Sequence, residues 1–186
     1  MDENDIIKGC LKNNPESQKA LYDYYYNKML GVCLRYSKDI TEAKEILHEG
    51  FFQVFTNLKN FKAPESFEGW IKKIMVNAAI DYLHKNKQNL IVSTFNANKS
   101  VANTLEELSD EEIISNINKE EILKAVQELT PAYRKVFNLY LIEGHAHKQI
   151  AEMLDISEDT SESNLEKAKF NLRKNIQQII TKANGK

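Results

Sequence analysis

The stretch Thr130-Pro131-Ala132-Tyr133-Arg134-Lys135-Val136-Phe137-Asn138-Leu139-Tyr140-Leu141-Ile142-Glu143-Gly144, then His147-Lys148-Gln149-Ile150-Ala151-Glu152-Met153-Leu154-Asp155-Ile156-Ser157, then Glu158 to Leu172, decides the fold class. Thr130 followed by a proline at the first helical position opens a helix, and Gly144 ends it. A second helix over 147–154 and a third opened by Ser157 are separated by a three-residue turn. Two short amphipathic helices joined in this way make a helix-turn-helix, whose second helix can lie in a DNA major groove. The arrangement predicts a reader of nucleic acid and not a catalyst.

Working outward, Ile122, Leu123, Val126 and Leu129 form an apolar helical stripe that stops at Thr130. Tyr133, Val136, Phe137, Tyr140 and Leu141 are expected inside on the next helix, and Leu165, Ala168, Leu172, Ile176 and Ile179 on the last. Residues 117–186 thus predict a four-helix domain without a wing. In the first half, Asn14-Pro15 opens a helix through about Ser37, and Asp39 with Glu42 can form a capping box for another. There Ala43, Ile46, Leu47, Gly50, Phe51, Val54, Phe55 and Leu58 share a face. Pro64 stops the chain in a loop from Asn60 to Glu65. Ser66 then caps a helix whose inner face is Phe67, Trp70, Ile71, Ile74, Met75, Ala78 and Tyr82. These helices form a first domain over 1–88. Periodicity fails over 89–116, where one lysine faces five carboxylates between 91 and 118, so a flexible acidic tether is expected, with a short helix near Glu106. The whole is all-α: two small helical domains on a flexible linker.

At 186 residues the chain suits one or two domains, and six glycines and three prolines argue against a strand-rich fold. The net charge of −2 gives no global attraction to a polyanion, so a partner is expected to supply much of any positive surface. Cys10 and Cys33 have no metal-ligand spacing and read as buried thiols. The acidic start, Met1-Asp2-Glu3-Asn4-Asp5, has no signal-peptide pattern, and no apolar run approaches a membrane span. A cytoplasmic protein without membrane insertion is the expectation. No phosphate loop, nucleophile elbow or metal set is evident, so neither an enzyme nor a cofactor or metal site is expected.

Two blocks carry a resemblance. The first runs Ala43-Lys44-Glu45-Ile46-Leu47-His48-Glu49-Gly50-Phe51, then Phe61, then Ser66-Phe67-Glu68-Gly69-Trp70-Ile71-Lys72-Lys73-Ile74-Met75-Val76-Asn77-Ala78-Ala79-Ile80-Asp81-Tyr82-Leu83; the second is the segment quoted at the outset. In this order the blocks resemble domains two and four of the extracytoplasmic-function group of bacterial RNA polymerase sigma factors. The resemblance implies a non-catalytic subunit that docks on core RNA polymerase and directs it to promoter DNA, commonly held inactive by an anti-sigma factor. It places the polymerase-binding surface on Glu45, His48, Glu49 and Gln53, with His48 where the family usually has glutamine. It places contacts to the −10 strand on Lys62, Ser66, Lys72, Lys73, Asn77 and His84. Residues 59–90, with a net charge of +3 and interleaved aromatics, suit a separated strand, although Phe67 and Trp70 fall on the apolar stripe. Contacts to the −35 element are placed on Lys148, Glu158, Asp159, Glu162, Ser163, Lys167, Lys169 and Arg173.

The second block departs from the family pattern at two places. Asp159, Glu162 and Asn164 stand where Gly, Lys or Arg, and Arg or Gln are usual. A carboxylate repels phosphate, yet accepts a hydrogen bond from a cytosine amino group. Ala146 stands where Ser or Thr normally caps a helix, a loss of about 1 kcal/mol. The acidic reading face leaves an alternative open: a sigma-like regulatory interaction protein that has lost promoter reading. A dimeric helix-turn-helix repressor would leave the first domain without a role.

Overall fold

The computed structural model describes residues 2–62, 66–90 and 117–184. Eight helices lie among them: α1 Glu3–Leu11, α2 Pro15–Tyr36, α3 Ile40–Asn57, α4 Phe67–Leu90, α5 Lys119–Gln127, α6 Pro131–Phe137, α7 His147–Leu154 and α8 Glu158–Asn184. A short 3-10 turn, Leu58–Asn60, follows α3, and α6 runs on into a wide π-turn, Asn138–Ile142. No strand occurs among the described residues. The expected stop at Pro64, the acidic tether expected over 89–116 apart from its first two residues, and its helix near Glu106 lie outside them, while Asn89 and Leu90 end α4. The chain divides into two compact units, Met1–Tyr82 and Leu83–Lys186, so the division falls within α4.

In the first unit the caps follow from the residues. The Asn14 carbonyl oxygen accepts the Ser17 N–H at 2.9 Å, with Pro15 at the first helical position. Asp39 accepts the Glu42 N–H at 2.9 Å. The Glu42 carboxylate reaches the N–H of Lys38, one residue before the N-cap, where a strict capping box would return to Asp39 itself. Helix α1 was not legible as an element: it is nine residues long and buries only Ile6 and Cys10. It closes on α2 at Gly9, where an added Cβ would stand 2.0 Å from the Ser17 Oγ and 2.6 Å from its Cβ.

Leu21, Tyr25, Met29, Val32, Cys33 and Tyr36 of α2 meet Ala43, Ile46, Leu47, Phe51 and Val54 of α3 in the core. Leu58 is buried as its spacing predicts, and Phe55 is half-buried. Helix α4 buries Phe67, Ile71, Met75 and Ala78 from the expected stripe, with Trp70, Ile74 and Tyr82 half-buried. It also buries Val76, Ala79, Ile80 and Leu83, so a single stripe was too narrow for a helix enclosed around most of its girth. Both cysteines are buried and reduced. Burial pushes the Cys33 thiol up to about 12 and raises that of Cys10.

In the second unit, Asn118 and Glu121 form a capping box that opens α5. Ala125, Val126 and Leu129 are buried and Leu123 half-buried, whereas Ile122, one turn nearer the helix start, is 42% exposed. Helices α5, α6 and α7 all pack on α8. The inner face expected for α6 needs correction. Val136 is buried and Tyr133 and Phe137 are half-buried, but Tyr140 and Leu141 are exposed, while Arg134, Lys135, Asn138 and Leu139 are buried. The buried arc already runs through Arg134 and Lys135 at the start of α6 and continues through Asn138 and Leu139, so at 100° per residue Tyr140 and Leu141 fall on its far side. In the π-turn that follows, the Glu143 N–H donates to the Asn138 carbonyl, five residues back, at 3.0 Å. Buried Asn138 donates its side-chain N–H to the Arg134 carbonyl at 2.9 Å. Gly144, at φ +76°, ends the segment. On α8, Leu165 and Ala168 are buried as expected, Leu172, Ile176 and Ile179 are half-buried, and Ser161, Gln177 and Ile180 complete the inner arc.

Gly9→Ala tests the docking of α1. Overpacking against Ser17 costs about 1–3 kcal/mol, offset in part by about 1 kcal/mol of helix propensity. Urea unfolding followed at Trp70, the only tryptophan, is expected to show a lowered midpoint; an unchanged midpoint would mean that Ser17 moves aside at no cost.

Candidate nucleic-acid and partner interfaces

Helix α3 buries one arc and exposes the other. Glu45, His48 and Glu49 are exposed and Gln53 is half-buried, the last three standing three, four and eight positions after Glu45 on one surface. The Gln53 side chain donates to Glu49 Oε1 at 3.3 Å, and the Tyr82 hydroxyl of α4 donates to Glu45 Oε2 at 2.5 Å. Phe52, 67% exposed, belongs to the same outer surface. The sequence reading passed over it because it sits beside the apolar stripe of Phe51, Val54 and Phe55. That misfit, an aromatic at the one apolar position out of register, was the available signal.

The second group lies around α4. Lys62 is exposed, and exposed Ser66 spends its Oγ on the Gly69 N–H at 3.1 Å as a helix cap. Lys73, Asn77 and His84 recur at intervals of four and seven, on one stripe with Trp70. Lys73 and Asn77 are exposed, and Trp70 and His84 half-buried. Lys72, half-buried, is turned about 100° away from that stripe and does not share it. Phe61 bridges the aromatics here, 5.0 Å from the Phe67 ring and 5.5 Å from Trp70. Phe67 is buried, in line with its place on the apolar stripe, whereas Trp70 keeps part of its indole at the surface.

The third group belongs to the helix-turn-helix. Asp155 adopts φ +53°, and the Ile156 N–H returns to the Ala151 carbonyl at 3.1 Å, closing α7. The Ser157 Oγ accepts the Thr160 N–H at 3.1 Å and opens α8. With Ser161, Leu165 and Ala168 turned inward, Glu158, Asp159, Glu162, Ser163, Lys167, Lys169 and Arg173 are all exposed, as is Lys148 on α7. Carboxylates occupy the first turns and cations the later ones, an order that also suits the helix dipole. Glu166 pairs with Lys169 at 2.9 Å across the exposed surface. Phe170 is 72% exposed.

Ala146, which cannot cap α7 with a side chain, is compensated from the other side: the Gln149 side-chain Oε1 accepts the Ala146 N–H at 2.9 Å. His147 ties α7 to both neighbours. Its ring stacks on Tyr140 at 4.4 Å, and its Nδ1 lies 2.9 Å from the Oγ of buried Ser161. Among the described residues no group of three or more His, Cys, Asp or Glu side chains is placed to hold a metal, and no helix is long and apolar enough to cross a membrane.

Residues 21–89 match the family described as sigma-70 region 2, and residues 119–171 match sigma-70, region 4. The ECF RNA polymerase sigma factor SigW of Bacillus subtilis is 24% identical over 181 residues, an alignment covering 93% of this chain and 96% of that protein. SigX of the same species is 25% identical over 164 residues, covering 87% and 84%. Among solved structures, the sigma factor RpoE of Bartonella quintana, in complex with the anti-sigma factor NepR, is similar with a TM-score of 0.50 and 14% identity, covering 86% of this chain and 96% of that one. At that identity the likeness is one of fold.

The His147–Ser161 link can be measured by a double-mutant cycle with His147→Ala and Ser161→Ala. Thermal unfolding is expected to give a coupling energy of about 1 kcal/mol. Additive effects would show that α8 is positioned without it.

Proposed function

The chain belongs to the sigma-70 family and to its extracytoplasmic-function group, and from that membership we propose that it serves core RNA polymerase as a promoter-reading subunit in transcription initiation. The observation that carries this reading is the presence of both regions, in order, on one chain. Each bears helices that bury one arc and present a polar one. Catalysis in this scheme belongs to the polymerase. The site of action is the cytoplasm, where polymerase and promoter meet.

The outer surface of α3 docks on the core enzyme through Glu45, His48, Glu49 and Gln53, and Phe52 adds an apolar anchor among them. Lys62, Ser66, Lys72, Lys73, Asn77 and His84 attend the −10 strand. The exposed part of Trp70 lies beside Lys73 and Asn77, where stacking is worth about 1–3 kcal/mol per base. Lys148, Lys167, Lys169 and Arg173 contact phosphates of the −35 duplex, while Glu158, Asp159, Glu162 and Ser163 face base edges. An anti-sigma protein is the proposed inhibitor, since RpoE of Bartonella quintana, similar in fold, is in complex with the anti-sigma factor NepR.

The exposed carboxylates of Asp159 and Glu162 support a second reading, a sigma-like regulator without promoter recognition. Run-off transcription with core polymerase on a genomic fragment library separates the two. Defined transcript 5′ ends with the unmodified chain, and altered promoter choice with Glu162→Lys, are expected. Core binding with no transcript from either protein would favour the regulator, and no core binding would reject both. Phe52→Ala is expected to weaken core binding about tenfold or more without lowering the unfolding temperature; unchanged affinity would remove Phe52 from the interface.

A further inference from the structure

A cavity of about 230 Å³ opens in the first unit between α1, α2 and the start of α4. Ile6, Leu21, Tyr25 and Phe67 wall it, all of them buried. Its edge carries Asp2, Glu3 and the ring of Tyr24, which is 60% exposed. The volume falls below the roughly 300–1,000 Å³ of sites that enclose cofactors or drug-sized ligands, and is of the scale of one long side chain. Its chemistry is an apolar sleeve ending in carboxylates and aromatic faces. The Tyr25 hydroxyl donates to Glu3 Oε1, leaving the second carboxylate oxygen of Glu3 to accept elsewhere.

Tyr24 and the wall residue Tyr25 already lie beside a cation. The Lys28 ammonium stands 5.5 Å from the Tyr24 ring centroid and 5.7 Å from that of Tyr25, and donates to Glu68 at 2.6 Å. The rings lie edge to face at 4.9 Å, so their π surfaces suit positive charge while Asp2 and Glu3 repel phosphate. We propose that this pocket receives an arginine side chain from a protein partner, with its alkyl stem against Ile6 and Leu21 and its guanidinium between the Asp2 and Glu3 carboxylates and the Tyr24 ring. Arginine fits better than lysine because a planar guanidinium can stack on an aromatic face while donating in parallel to a carboxylate. The site is distinct from the outer surface of α3 and from the Lys73–Asn77–His84 stripe. Phe67, which walls the cavity, packs on both Tyr25 and Phe61.

The test uses the full chain and needs neither polymerase nor promoter, so it stands or falls apart from the function proposed above. Nα-acetyl-arginine N-methylamide is titrated while the Ile6 methyl and the Tyr24, Tyr25 and Phe67 ring resonances are followed by NMR. Saturable shifts at these groups, with a dissociation constant on the order of millimolar, are expected. The neutral isostere Nα-acetyl-citrulline N-methylamide is expected to leave them in place. Tyr24→Ala, at an exposed position, should weaken the arginine probe about threefold. Asp2→Asn, which removes the charge at a position whose side chain makes no cap hydrogen bond, should do the same. Equal shifts with citrulline, shifts that do not saturate up to the probe's solubility, or a single-stranded oligonucleotide moving these resonances would each overturn the assignment.

Discussion

Burial of Ser161, Leu165 and Ala168 along one arc of α8 is the constraint on which the second unit depends. A helix exposes whatever its buried arc leaves over, so these three residues fix the direction of every side chain from Glu158 to Arg173. Rotation by a single position, about 100°, would carry Glu162 toward the interior, where an unpaired carboxylate is heavily penalised. Ser161 is the polar member of the arc, and His147 meets its hydroxyl. Because His147 also stacks on Tyr140, the azimuth of the reading helix is tied to the π-turn, whose Tyr140, Leu141 and Ile142 stand at the surface.

The first unit is organised by close approach and by aromatic packing. Gly50 admits Met75 so tightly that a Cβ there would stand 2.3 Å from its sulfur, which draws α3 and α4 together and leaves the opposite arc of α3 outward. A run of rings follows, from Tyr24 through Tyr25 and Phe67 to Phe61 and Trp70. Phe61, just after the 3-10 turn, packs on both Phe67 and Trp70 of α4. Such contacts restrict ring rotation as well as burying area, and pairs of this kind add about 0.5–1.5 kcal/mol each.

Much of this was legible in the sequence because local signals and burial agreed. Asn14-Pro15, Ser66, Ser157 and Gly144 punctuate the helices where their chemistry requires, and the three-residue turn before α8 stands where the spacing put it. The outward direction of the residues proposed for the −35 element was legible because Leu165 and Ala168 identified the inner arc. What escaped depends on tertiary context. Helix α1 is nine residues long and buries only two of them, so its place rests on contacts with α2. The buried arc of α6 runs through Arg134, Lys135 and Asn138, polar residues that no apolar pattern marks, so Tyr140 and Leu141 fall outside although their spacing from Tyr133 and Val136 is regular. Lys72 and Lys73 are adjacent in sequence and look equivalent, yet helical geometry sends them to different surfaces. Phe52 is apolar and exposed, a combination that composition cannot distinguish from core.

The order of charge along α8 has a further physical consequence. Negative groups crowd its first turns and positive groups its later ones, so the helix is a permanent electric lever in the field of a polyanion. Beside a duplex, its two ends feel opposite forces, and the resulting torque selects a tilt before any base edge is touched. Added salt relaxes the repulsion at one end together with the attraction at the other. Association through this helix therefore loses less with rising ionic strength than association through a uniformly basic one, for which every phosphate contact releases a counterion.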